Sequence, residues 1–356
     1  MRLFNSKLIV LLFYGLSIIC RTPQSAEQFS EHSPLSPDAI YCLRYDKPTK
    51  MFEVLAISDN LTVLEVLHQS KSPYDSIYHD QKNNQLFLRR PYHSLKQASA
   101  LDALNLSTRK VLPFTSIPEI GGISMHTRSS GWAVLSSRFI NDDVAIYQLT
   151  SSGTIHQRTV IGQNHFSTNA SSNERYLSAI IENPDKSKTT APQYVKFDYK
   201  TKQVVRKQAL PSHLRGGHAF AEDFKNHMVY FSPFSEFTGG QHYRLRQVLV
   251  FNTSDMSLIK TIELRGTPYA FHLDQPTHQL CIKHDRGFSI LDTQTLKLTH
   301  NFPSNVSSMA KVRPPYIALN MTTDSGPGIS LYNLKSHHFE FRLDGDFGPL
   351  APQTAP

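Results

Sequence analysis

The chain has 356 residues, 39% hydrophobic and 19% charged, with a formal net charge of +8 and three cysteines. That composition provides a core that needs no disulfide staples and excludes a highly charged, weakly hydrophobic disordered chain. The cations are scattered over turns such as KPTK and KTK, which speaks for a solvated basic surface and against a nucleic-acid partner.

The chain starts with Arg2 and Lys7, followed by the apolar run Leu8 to Ile19. A basic start and an apolar run too short for the roughly 20 residues of a bilayer-spanning helix predict a secretory signal peptide over 1–26, cleaved after Cys20 or Ala26. Lipid attachment at Cys20 is a third option, disfavoured by the bulky Ile19 before it. Loss of Arg2, Lys7 and Arg21 would bring the net charge to about +5. The expectation is a secreted or periplasmic protein with no membrane span. A linker over 27–39 would lead to a domain over 40–345 and a tail over 346–356. Cys42 and Cys281 lie in the apolar runs IYCLRY and QLCIKH, where buried free thiols are expected.

One pattern then recurs along the chain: an apolar strand, a small polar residue, a turn and a second strand. Its copies include VLAISDNLTVLEVL, QYVKFDYKTKQVVRKQAL, QVLVFNTSDMSLIKTIEL and FSILDTQTLKLTHNF. The aligned pairs are Ile57-Ser58, Leu104-Asn105, Tyr147-Gln148, Phe197-Asp198, Phe251-Asn252, Leu291-Asp292 and Tyr332-Asn333, separated by 47, 43, 50, 54, 40 and 41 residues. A second column runs in register with the first. Strands beginning near Ile77, Ile123, Ser167, Phe220, Phe271 and Ser308 are each followed nine residues later by the next strand, at Leu86, Trp132, Tyr176, Val229, Leu280 and Ile317.

Period-two alternation at this spacing predicts a repeating unit of four strands, here called a to d. Six units are complete, and IYCLRYD, FEVLAIS and LTVLEVL form a seventh that lacks its a strand. The predicted fold is therefore all-β, a seven-bladed β-propeller of four-stranded antiparallel blades, with the tail DGDFGPL a candidate for the missing strand. A six-bladed ring with an N-terminal flap is the alternative.

The phrases FDYKTKQVV and LDTQTLKL resemble the repeats of YVTN-type propellers, which group with the heavy chains of quinoprotein amine dehydrogenases in a WD40-like superfamily. The resemblance covers Ile40 to Leu343 and implies fold more than activity. In those dehydrogenases the cofactor belongs to a separate small subunit, so the resemblance implies no cofactor in this chain. A true WD repeat fits less well, because Trp132 is the single tryptophan and no aspartate follows it.

Propeller geometry places the d-to-a and b-to-c loops at one end of the ring and the a-to-b and c-to-d turns at the other. The first set is long and irregular, notably RRPYHSLKQAS, NPDKSKTTAPQ and SPFSEFTGGQHYRLRQ, and makes that end the expected working face. Asp75, His165, His218 and Tyr269 recur two residues before the a strands, with Arg215 nearby, and are candidates for a small-ligand site at the channel mouth. Phe234, Phe237, Tyr243, Arg244 and Arg246 in the third long loop are candidates for contact with a protein or glycan partner.

No G-x-S-x-G, P-loop, C-x-x-C or H-E-x-x-H motif occurs, so no catalytic residue, metal ligand or cofactor is assigned. Sequons at Asn60, Asn105, Asn169, Asn252, Asn305 and Asn320 are possible glycosylation sites, or simply asparagines favoured by turns. Three functions fit: a binding module working through its long-loop face, an enzyme or redox subunit (lactonase-like or amine-dehydrogenase-like) at the channel mouth, and a structural spacer.

Overall fold

The computed structural model describes residues 38–62, 64–91, 99–117, 121–128, 131–138, 143–162, 166–167, 170–182, 191–212, 214–238 and 241–351. They form seven antiparallel sheets, the blades of a propeller. Blade 1 holds β1 (Ile40–Asp46), β2 (Met51–Ile57) and β3 (Leu64–Ser70). Blade 2 holds β4 (Ser76–Asp80), β5 (Gln85–Arg89), β6 (Ser99–Asn105) and β7 (Val111–Ile117). Blade 3 holds β8 (Gly121–Arg128), β9 (Gly131–Arg138), β10 (Val144–Leu149) and β11 (Ile155–Gly162). In blade 4 the inner strand is split into β12 (Phe166–Ser167) and β13 (Ser171–Ser172), ahead of β14 (Tyr176–Glu182), β15 (Gln193–Asp198) and β16 (Gln203–Ala209).

Blade 5 holds β17 (Leu214–Asp223), β18 (Met228–Thr238), β19 (Gln241–Arg244), β20 (Gln247–Asn252) and β21 (Leu258–Glu263). Blade 6 holds β22 (Pro268–Asp274), β23 (Gln279–His284), β24 (Gly287–Asp292) and β25 (Lys297–Phe302). Blade 7 holds β26 (Asn305–Lys311), β27 (Tyr316–Thr323), β28 (Gly326–Asn333) and β29 (His338–Asp344). No helix among the described residues is long and apolar enough to cross a membrane.

Middle strands are covered by neighbouring blades on both faces and therefore read as apolar runs, as in the fully buried β10, VAIYQL. Outer strands alternate between exposed and half-buried residues, as in β16, QVVRKQA. The core accordingly lies in the seams: Leu135, Val144 and Ile146 of blade 3 pack against Leu177, Ala179 and Phe197 of blade 4. Trp132 is fully inside such a seam, edge-on to Phe87 and Phe114, and its indole N–H donates to Asp80 Oδ2 of blade 2 at 2.6 Å.

Blade 1 is completed by the tail. Leu43 N donates to Pro349 O (3.1 Å), Gly348 N to Leu43 O (2.7 Å) and Ala351 N to Tyr41 O (2.8 Å), while Cys42 and Leu350 form an antiparallel bridge. Blade 7 grips the other side: the Asn320 amide donates to Phe347 O (2.6 Å) and Gly348 O (2.9 Å). Gly348 is required for this approach, because a Cβ there would lie 2.8 Å from Leu43 O.

The c-to-d turns follow two rules. After β6, β15, β20, β24 and β28, the last strand residue is Asn105, Asp198, Asn252, Asp292 or Asn333, whose side-chain oxygen accepts from N–H groups two or three residues on. The residue four positions on is left-handed: Arg109, Lys202, Met256, Leu296 and His337. In blades 1 and 3 the cap is a shorter hydroxyl, Ser58 or Thr150, accepting from the N–H of Thr62 or Thr154, and the left-handed residue falls three positions on, at Leu61 or Gly153. The pair Tyr147-Gln148 read from sequence is thus displaced. β10 continues through Gln148 to Leu149, because Thr150 plays the part that Asn and Asp play elsewhere.

Candidate functional site

The loop end of the ring differs from sequence expectation in one major element. In place of the expected loop, β18 runs on beyond its blade and returns as β19, paired Ser235↔Arg244, Glu236↔Tyr243, Phe237↔His242 and Thr238↔Gln241. Phe234, Phe237, Tyr243 and Arg244 therefore occupy a two-stranded ribbon, whose side chains fall outside the described ones, and Arg246 follows it, exposed. β17 is lengthened to match, with Arg215 opposite Ser235. Residues 92–98 and 183–190, the other two long loops, lie outside the described residues.

At the rim, Asp75 is held by its own blade: Arg89 donates to both carboxylate oxygens at 2.6 and 3.0 Å, and the Asp75 N–H donates to Arg89 O. His165 lies outside the described residues. His218 and Tyr269 each occupy a β-bulge. The β17 ladder passes from Gly217↔Pro233 to Ala219↔Ser232, and the β22 ladder from Pro268↔His284 to Ala270↔Lys283. β26 repeats the device one blade on, skipping Ser307 between Val306↔Met321 and Ser308↔Asn320. Bulges bend a strand and re-aim the unpaired residue, and they concentrate at rims and beside functional sites. Three consecutive inner strands share the feature.

Adjoining loops are locked together. Leu264 N donates to Arg246 O (2.6 Å), Asp285 N to Thr267 O (3.1 Å), and Thr267 N to Asp285 Oδ1 (2.8 Å). Burial lowers the pKa of His284. Its Nδ1 accepts from Arg286 N at 3.2 Å, so Nε2 carries the proton and donates to Ser289 Oγ at 2.9 Å. These bonds hold Arg246, Arg265 and Arg286, all exposed, on neighbouring segments of blades 5 and 6.

Toward the opposite mouth stands a group that sequence reasoning missed. His126 of β8 contacts Ser124 Oγ through Nε2 at 2.5 Å and Ser172 Oγ of blade 4 through Nδ1 at 2.9 Å. Burial pushes the imidazole down to about 4, so it is neutral at physiological pH. A hydroxyl and a neutral imidazole in contact are two members of a nucleophilic triad, but among the described residues no carboxylate hydrogen-bonds His126. The arrangement, as it stands, pins two blades. His272 of β22 is likewise pushed down to about 4, by burial and then by Lys311, with Asp274 opposing.

Between blades 4 and 5 the Glu222 carboxylate is wholly buried, accepting from Tyr194 OH (2.8 Å) and Lys196 Nζ (2.7 Å). Ser172 reaches His126, and Tyr194 and Lys196 reach Glu222, from the neighbouring blade.

Among the described residues there is no cluster of three or more His, Cys, Asp or Glu suited to a metal ion. Cys42 and Cys281 are buried and unpaired with each other, and burial pushes the Cys42 thiol up to about 12. Of the sequons, Asn60, Asn105 and Asn305 are exposed, Asn252 is half-buried and Asn169 lies outside the described residues. Asn320 is corrected: it is 4% exposed, and the amide nitrogen that a glycan would take is committed to the tail.

No family model matches the chain, and no curated protein matches it. Among solved structures it resembles the β-propeller domain of Cps50 (Swd1) from Myceliophteria thermophila, at 12% identity over 79% of this chain and 90% of that one, with a TM-score of 0.56. The dihydro-heme d1 dehydrogenase NirN, solved in complex with DHE, matches at 11% identity over 92% and 77%, with a TM-score of 0.58. BamB from Moraxella catarrhalis matches at 11% identity over 88% and 90%, with a TM-score of 0.49. At such identities the likeness extends to the fold alone, and the chain is a seven-bladed β-propeller.

Proposed function

We propose that this chain is a binding module of YVTN-like kinship that works outside the cytoplasm and engages a protein or glycan partner with its long-loop end. The carrying observation is the β18–β19 ribbon, which extends one blade on that end, while the other end carries short turns of two repeated designs. Interfaces favour such projecting elements on a rigid scaffold, especially where aromatic and arginine residues alternate as in FSEFTGGQHYRLR. The apolar leader Leu8 to Ile19 supports the compartment.

The test is capture of partners from the source organism's extracytoplasmic fraction by the whole chain and by a variant with 235–244 replaced by a two-glycine turn. The reading expects the variant to keep its thermal midpoint and lose the partner. Capture that is equal for both chains would refute it.

A second reading, an enzyme or redox subunit at the channel mouth, draws support from the bulges at His218, Tyr269 and Ser307. It expects His165→Ala with His218→Ala to abolish ligand turnover and leave partner capture intact.

A further inference from the structure

A groove of about 450 Å³ lies between blades 5 and 6, with Glu263 and Arg265 on one side and Leu298, Thr299, His300 and Asn301 on the other. The last four are consecutive residues of β25. Thr299 sits at a bulge in that strand, skipped between Ile290↔His300 and Leu291↔Leu298, which turns neighbouring side chains of β25 toward the groove. β25 ends the order β22-β23-β24-β25, and no described strand pairs with its outer edge.

Outer strands are the exposed edges of a propeller and are commonly blunted by charge or proline. Here β3 carries Glu65, β7 Pro113, β11 Arg158, β16 Arg206 and Lys207, β21 Lys260, and β29 Glu340 and Arg342. In β25 the only fixed charge is Lys297 at its first position, and Leu298 to Phe302 hold none. His300, in the middle, has a buried Nδ1 with no hydrogen-bond partner, and it stacks on His337 of blade 7 at 4.1 Å.

The surroundings are cationic. Arg265 lines the groove, and Arg246 is tied to it through the bond between Leu264 N and Arg246 O. Arg286 adjoins Gly287, which stands so close to the β25 end that a Cβ there would collide with Phe302 O. The acids nearby are Glu263 and Asp285, and Asp285 already accepts from Thr267 N.

We infer that β25 is a docking edge that accepts an extended acidic segment of another protein as a fifth strand of blade 6, with the segment's carboxylates facing Arg246, Arg265 and Arg286. Main-chain hydrogen bonds to an open edge supply affinity in this mode, and alternate side chains supply selection. The inference goes beyond the loop-end reading and shares with it only Arg246, which follows the β18–β19 ribbon.

The test titrates the full chain into a fluorescein-labelled peptide of alternating valine and glutamate, with hydrogen exchange followed over Lys297–Phe302. Binding is expected to slow exchange there. It should weaken about tenfold or more for a valine–lysine peptide and for the Arg246→Glu, Arg265→Glu variant. N-methylation of alternate peptide amides should abolish it, which probes the backbone bonds without altering the protein. Both arginines are exposed, so the variant's unchanged thermal midpoint serves as the folding control. Equal affinity for the two peptides, protection elsewhere in the ring, or slowing that depends on protein concentration without peptide, marking a second copy of this chain as the occupant, would each overturn the inference.

Discussion

Asp198 joins capping to electrostatics. Burial works against its charged form, but the N–H of Lys200, the Arg175 guanidinium and the N–H of Thr201 together hold its carboxyl below the usual range. A lowered carboxyl contributes stability that is present above its unfolded-state pKa and lost as pH falls through the folded value. Asp198→Ala should cost about 1–2 kcal/mol at neutral pH, read as a lower urea midpoint at constant slope. The buried histidines act at milder acidity. His126 and His272 are held near 4, below their usual 6.5, so the unfolded chain takes up protons before the folded one does. Stability should fall as pH drops from about 6.5 toward 4, by roughly 3 kcal/mol per histidine. Replacing both with Gln should flatten that slope, and a slope unchanged in the double variant would contradict the assignment.

At the scale of elements, turn chemistry decided what could be read in advance. Asn105, Asp198, Asn252, Asp292 and Asn333 stand out in sequence because their side chains perform one task at one position, and the period between them gave the blade count. The copy in blade 3 slipped by two residues, since Gln148 mimics an amide cap while the working group is the Thr150 hydroxyl. Thr150→Val should cost about 0.5–1 kcal/mol by removing that acceptor, whereas Gln148→Glu, deep in β10, should cost more by burying a charge. The ribbon was unreadable for a different reason. SEFTGGQHYR has loop composition, and its pairing depends on β17 and β18 both extending beyond their blade. The rim positions can be named from sequence because they follow the repeat. The contacts of His126 with Ser172 and of Glu222 with Lys196 join blades, and no period within one blade reports them.

The whole molecule depends on closure. Sequence left the tail's part open between two rings, and the structure lays Phe347 to Ala351 between β1 and blade 7. Asn320→Ala would strand the carbonyls of Phe347 and Gly348 and should cost about 2–3 kcal/mol. Cys42 offers a local reporter. It is fully buried beside Leu350, and its raised pKa leaves almost no thiolate. Truncation after Asp344 should increase its alkylation rate by about tenfold or more while Cys281, inside blade 6, stays inert. Equal rates at both cysteines would indicate global unfolding instead of an opened ring. The same closure also imposes a timetable on biosynthesis. β1 leaves the ribosome about 300 residues before the segment it must meet, so the first blade waits, its inner edge bare, until that segment has been translated. During that interval IYCLRYD is an apolar strand paired with β2 on one edge only, the stretch on which a chaperone or export factor would do the most good.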